Sequence, residues 1–250
     1  FAKELVRRIP ITNATEEFNF ATLLLWQYVK NQGLEKELTQ LNEPAEGSPP
    51  AINFKGRLIS QDIANSLLEF DVINNNARMD LITTVLEIGA GYGRSAYLWL
   101  SLNKANKYII VDIPPALYIS QRYLNNQFPG KKIFKYRDFK SFEEVEDEYR
   151  QADLVFLMPW QIEMLPQKSI DLICTIDSLS EMRFSVIEYY FKIINKLCKK
   201  YFYIKCNKKW DNEEGRIRWG DYPIPTGWEC LIDRECRVQT DYFESLYKIS

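Results

Sequence analysis

The segment Val85-Leu86-Glu87-Ile88-Gly89-Ala90-Gly91-Tyr92-Gly93-Arg94 has glycine at three alternate positions and a carboxylate two residues before the first. Glycine lets the backbone turn tightly and lets a ligand approach with no Cβ in the way. An apolar run enters the turn and a helical pattern leaves it, so the segment reads as strand, turn, helix. In doubly wound sheets, ligands bind at the carboxyl ends of the strands, at this kind of turn. Twenty-one residues after Gly91, the run Tyr108-Ile109-Ile110-Val111 ends in Asp112, an acceptor suited to ribose hydroxyls. Together these predict an adenosine-like ligand bound by Glu87, Gly89, Ala90, Gly91, Tyr92, Gly93, Asp112 and Ile113.

The dinucleotide fingerprint G-x-G-x-x-G places its third glycine one residue later than Gly93. A carboxylate at the mouth of the site, Glu87, would repel a pyrophosphate and could face the cationic methionyl part of S-adenosylmethionine. The pattern therefore favours the methyl donor over NAD. The plain alternative is a glycine turn that only joins strand to helix.

A second cluster runs from Asp171 to Met182, where an apolar strand delivers Asp177 and Glu181 to the edge at which a donor methyl would lie. Either carboxylate could take the proton of an acceptor hydroxyl as its oxygen attacks. Equally, Asp177 or Ser178 could cap the following helix, with Glu181 in its first turn. The pair could offer two oxygens to a divalent cation, but a third ligand is not evident, so no metal ligand is named and metal dependence stays open. For adenine, one segment ends in Asp138 and another in Gln161. The second fits the strand order better, which puts Trp160 and Gln161 near the base, although Trp160 would serve equally as core filling. The chain has no histidine, so a general base must be Asp, Glu, Tyr, Lys or Cys.

These groups need elements to position them. From residue 81 the sequence alternates strand and helix. Strands are expected at 85–88, 108–112, 132–137, 154–158, 171–176 and 201–206, with helices at 94–102, 116–128, 142–150 and 184–198 between them. Two β-like runs at 228–233 and 242–249 could pair antiparallel. Alternation of this kind implies a mostly parallel sheet covered on both faces, an α/β Rossmann-like fold. Residues 1–80 read as an N-terminal helical extension, and residues 81–250 as the sheet domain. Within the extension, 14–41 is helical, 43–54 is a Pro- and Gly-rich loop, and Ser60 caps a helix with the apolar face Ile63, Leu67, Phe70 and Ile73.

Composition narrows the class. A chain of 250 residues with 46% hydrophobic and 26% charged residues has the make-up of an ordinary globular protein. A net charge of −2 with scattered lysines gives no nucleic-acid footprint. No run approaches the roughly 20 apolar residues of a membrane span. Five cysteines, none in a C-x-x-C pair, suit reduced thiols in the cytoplasm rather than a disulfide framework or a zinc site.

Four stretches also resemble a bacterial sugar O-methyltransferase family: GRLISQDIANS (56–66), LEIGAGYGRSAY (86–97), VDIPPALYISQRYL (111–124) and SLSEM (178–182). The tail, with Asp221-Tyr222-Pro223 and Phe243-Glu244, is similar too, and the resemblance extends from about Glu43 to Ile249. It implies a class I methyltransferase sheet, S-adenosylmethionine as donor and a sugar-containing acceptor. By position, Glu87, Gly89, Gly91, Gly93 and Asp112 would bind the donor and Glu181 would lie at the acceptor side. Gln61, Asp62 and Asn65 would belong to a helix closing over the acceptor, unless they are only its solvated face. A methyltransferase for a non-sugar molecule, a non-catalytic adenosine-ligand-binding protein and a nicotinamide-dependent dehydrogenase are the rival readings.

Overall fold

Gly33, at φ +84°, breaks the first helical run. Left-handed backbone suits glycine best, so α1 (Ala14–Val29) and α2 (Glu35–Gln40) are joined through a kinked turn at Lys30–Leu34. The computed structural model describes residues 14–46, 50–212 and 215–249. The stretch expected to be a loop ends in a strand instead. β1 (Ala51–Phe54) and β2 (Arg57–Ser60) form an antiparallel hairpin around Lys55 and Gly56, both left-handed. These strands are four residues long and leave Phe54 and Leu58 exposed, so they lack the period-two burial that announces a strand. Ser60 then caps α3 (Gln61–Asn76), its side chain accepting the Ile63 N–H at 3.1 Å. The expected stripe Ile63, Leu67, Phe70 and Ile73 is buried.

The alternating elements follow as β3 (Thr84–Ile88), α4 (Arg94–Ser101), β4 (Lys107–Val111), α5 (Pro114–Gln127), β5 (Ile133–Phe134), α6 (Glu146–Gln151), β6 (Leu154–Leu157), β7 (Ile170–Ile176), α7 (Phe184–Leu197) and β8 (Cys198–Asn207). A hairpin absent from the sequence reading, β9 (Lys209–Asn212) with β10 (Gly215–Arg218), precedes the terminal strands β11 (Glu229–Glu235) and β12 (Tyr242–Lys248). The main sheet has eight strands in the order β11-β12-β8-β7-β3-β4-β6-β5. Pairing is parallel from β8 to β5, and β12 runs antiparallel to both β8 and β11. This is the expected Rossmann-like α/β sheet with an antiparallel C-terminal pair. Strand order reverses between β3 and β7, the position at which such sheets open a crevice.

Side chains alternate across the sheet, as the pleat requires. Val85, Tyr108, Phe156 and Tyr203 face the layer of α3, α4 and α5, while Leu86, Ile109, Val155 and Phe202 face that of α7. The buried core runs across residue 80. Leu25 and Val29 of α1 and Leu67 and Phe70 of α3 share one buried cluster with Trp99 and Tyr108. The five cysteines are free thiols, and only Cys230 is exposed. Among the described residues, no helix is long and apolar enough to cross a membrane.

Candidate functional site

After β3 the chain turns through Gly89, Gly91 and Gly93 at φ +73°, +58° and +95°, each for its own reason. A Cβ on Gly89 would stand 1.9 Å from Ser178 Oγ, because the loop after β7 packs on the turn there. A Cβ on Gly93 would press on Leu124 of α5 at 2.9 Å. A Cβ on Gly91 would meet nothing within 4 Å, so this glycine borders open space where a ligand can approach. Packing accounts for the outer two glycines and leaves the middle one beside open space.

Asp112, at the end of β4, completes the turn. Its Oδ2 accepts the Gly91 N–H at 2.8 Å and its Oδ1 the Ile113 N–H at 2.7 Å. A carboxylate offers about four lone-pair positions, so these two bonds orient it and leave acceptors for a ribose diol. Burial raises the Asp112 carboxyl above its ordinary pKa, against the two N–H donors. Beside it, Ile113 is 60% exposed and Trp160, after the neighbouring β6, is 53% exposed. Apolar side chains left bare at adjacent strand ends suit the faces of a flat base. Spare carboxylate acceptors, an open left-handed glycine and these two side chains form a donor set that fits an adenosine moiety.

Gln161 is buried and acts as a bracket, accepting the Met158 N–H at 2.9 Å and donating to the Arg137 carbonyl at 2.8 Å. It draws together the two segments weighed for adenine. Asp138, in the other segment, is exposed and accepts the Tyr136 hydroxyl at 3.0 Å.

Glu87 does not lie at the mouth of the crevice. Strand alternation turns it to the side of Val85, where it is 2% exposed and accepts the Tyr108 hydroxyl at 2.9 Å. Burial pushes its carboxyl up to about 7 despite that bond and the nearby Arg94. Its neighbour Ala90 is buried and Tyr92 half-buried.

Asp177, at the end of β7, sits at φ +53°, where a residue with a Cβ is uncommon. Its N–H donates to the Lys205 carbonyl at 2.7 Å, Asn207 Nδ2 donates to Oδ1 at 3.2 Å, and the Tyr242 hydroxyl donates to Oδ2 at 3.0 Å. The carboxylate is held by two side-chain donors and the backbone by a third bond, at the strand edge. It caps no helix, since α7 begins only at Phe184, after the short turn Leu179–Glu181 flanked by Ser178. Glu181 is exposed at the end of that turn. Asn207 and Tyr242 were not foreseen. Their one signal in the sequence is that polar residues sit where β8 ends and β12 begins.

The N-terminal candidates point three ways. Gln61 donates to Thr22 Oγ1 of α1 at 3.2 Å, Asp62 accepts the Tyr92 hydroxyl at 2.9 Å, and Asn65 borders a narrow cleft with Lys205 and Gln239. Farther along, Trp219 stacks on Phe243 at 5.2 Å between ring centres and donates to Asp233 at 2.8 Å. With Tyr222 and Tyr247 they line a cavity of about 410 Å³. Among the described residues, no three His, Cys, Asp or Glu side chains are grouped to hold a metal ion.

No family model matches the chain, and no curated protein matches it. Solved structures do. A SAM-dependent methyltransferase from Aquifex aeolicus is 16% identical with a TM-score of 0.44, over 73% of this chain and 89% of that one. An S-adenosylmethionine-dependent methyltransferase from Clostridium acetobutylicum is 14% identical with a TM-score of 0.47, over 76% and 92%. The glycopeptide N-methyltransferase MtfA complexed with sinefungin is 9% identical with a TM-score of 0.48, over 74% and 86%. Two similar structures, from Galdieria sulphuraria and a Bacillus, are longer, and the chain spans 47% and 50% of them.

Proposed function

We propose that the chain is an S-adenosylmethionine-dependent O-methyltransferase acting on a hydroxyl of a sugar or sugar-containing small molecule. The observation that carries the cofactor reading is the pairing of Gly91 and Asp112. An open glycine turn and a half-buried carboxylate with free acceptors lie within 2.8 Å of one another at the point where strand order reverses. The sugar acceptor rests on the resemblance of the GRLISQDIANS and VDIPPALYISQRYL runs.

When bound, S-adenosylmethionine supplies a methyl on a sulfonium for in-line transfer to a hydroxyl oxygen and leaves as a neutral thioether. The chain's own residues do the rest. Asp112 and the turn fix the donor, with Ile113 and Trp160 beside its base. Holding donor and acceptor in line supplies up to about 7–11 kcal/mol of the barrier reduction. Asp177 or Glu181 accepts the hydroxyl proton as the C–O bond forms, worth roughly 10²–10⁴-fold. Asp177 is the more firmly oriented of the two, because Tyr242 and Asn207 set the direction of its free lone pairs.

Calorimetric titration with S-adenosylhomocysteine, with NAD alongside, tests the cofactor reading. Binding in the micromolar range is expected for wild type and its loss for Asp112→Ala. Saturable NAD binding with no response to S-adenosylhomocysteine would overturn it. Once an acceptor is in hand, Asp177→Asn and Glu181→Gln are expected to bind donor normally. One of them should lose about 10²-fold or more in turnover, and near-normal turnover in both would remove the base assignment.

A further inference from the structure

α3 presents Asp62, Ser66 and Glu69 at i, i+4 and i+7, which is one face of the helix. All three reach the glycine turn. The Tyr92 hydroxyl donates to Asp62 Oδ2 at 2.9 Å. The Arg94 guanidinium donates to both oxygens of Glu69, at 2.9 and 3.1 Å, and to Ser66 Oγ. Tyr92 and Arg94 are the residues on either side of Gly93, so one helix face grips the turn on both flanks. Lys205 of β8 closes on the same Glu69 carboxylate at 2.6 Å and is itself held by Gln239 Oε1 at 2.5 Å. Glu69 and Lys205 are 3% and 5% exposed.

A buried Arg–Glu–Lys triad is a weak source of net stability, because desolvation offsets the attraction between its charges. Its contribution is geometric. A two-pronged guanidinium–carboxylate bond fixes both distance and plane, and here it fixes the first residue of α4. The Gly91 N–H that meets Asp112 lies three residues earlier in the same short turn.

We propose that the Asp62–Ser66–Glu69 face of α3 is a positioning element for the nucleotide turn, holding Tyr92 and Arg94 so that Gly91 and Asp112 keep the spacing a ribose needs. Asp62 then serves the cofactor side of the crevice rather than the acceptor side, and the N-terminal segment is part of the cofactor site. The proposal rests on the methyltransferase reading only for the choice of ligand. A turn freed from this grip and binding-competent one time in ten would bind its ligand about tenfold more weakly.

The test compares Glu69→Gln, Ser66→Ala and Tyr92→Phe with wild type, using S-adenosylhomocysteine titrations well below each unfolding midpoint and amide hydrogen exchange. Expected are a dissociation constant weakened about tenfold in Glu69→Gln and a smaller loss in Tyr92→Phe. Exchange at the Gly91 and Gly93 amides should quicken while the β3 amides keep their protection. Native affinity and native exchange at the turn in folded Glu69→Gln and Tyr92→Phe, with only a lowered midpoint, would overturn the proposal and leave the triad a structural brace. Should Glu69→Gln fail to fold, Tyr92→Phe and Ser66→Ala keep all three charges of the triad and decide the matter. Wild type that ignores S-adenosylhomocysteine would defeat the methyltransferase reading, and exchange at the turn would still decide the positioning role.

Discussion

Glu43 and Glu87 carry carboxyls pushed up to about 7, in both cases chiefly by burial, with the Asp62 charge adding to the effect at Glu43. In a chain without histidine these are groups that titrate near neutrality. An unfolded glutamate has lost its proton by then, so between the ordinary value of 4.5 and about 7 the folded state holds more protons than the unfolded one. Stability from this source is present in full below the unfolded pKa and drains away as pH rises through 7. Thermal unfolding midpoints should therefore fall between about pH 5 and pH 8. Glu87→Gln should flatten that slope, removing a penalty at high pH on the order of 3 kcal/mol. An unchanged slope in Glu87→Gln would mean that the carboxyl is not buried as described. Glu69 has the opposite sign, since Arg94 and Lys205 outweigh its burial and hold it low. Its contribution is lost only as pH drops below the ordinary carboxylate range.

At the scale of the turn, the glycines separate packing from binding. Gly89→Ala would drive a Cβ into Ser178 and should lower the unfolding midpoint markedly. Gly91→Ala has free space and only the left-handed backbone to accommodate, a cost of about 1–2 kcal/mol. It should stay folded and lose affinity for S-adenosylhomocysteine, so equal binding in Gly91→Ala and wild type would remove Gly91 from the site. The turn and Asp112 were legible in the sequence because a short chain and one parallel strand pairing bring them together. The centre of the main sheet was legible too, since β3, β4, β6, β7 and β8 carry buried apolar runs. The hairpins β1–β2 and β9–β10 were not, being four-residue strands with exposed or charged side chains. The inward course of Glu87 follows from strand alternation with Val85. The hold on Asp177 was invisible, because Asn207 and Tyr242 stand 30 and 65 residues away, and only the folded sheet edge unites them.

At the scale of the whole molecule, the described part of the N-terminal segment shares a buried cluster with the sheet. Phe70 of α3 meets Trp99 of α4 edge to face at 5.0 Å, and Glu69 of α3 pairs with Arg94 of α4 at 2.9 Å. A chain trimmed to begin at Leu81 would bare the face of the sheet that α3 covers and strand Arg94 and Lys205 without Glu69. It should fail to show a cooperative urea transition, whereas a sharp transition in the trimmed chain would make the N-terminal segment a separable cap. The triad also orders events in time. Its members occupy positions 69, 94 and 205, and the amide that seats the lysine is at 239. On the ribosome the Glu69–Arg94 pair that holds the glycine turn emerges early, but the lysine that completes the triad follows more than a hundred residues later. A nascent chain therefore carries the Glu69 carboxylate with only one of its two cations until β8 has been made, and the buried charge is fully compensated only in the finished sheet.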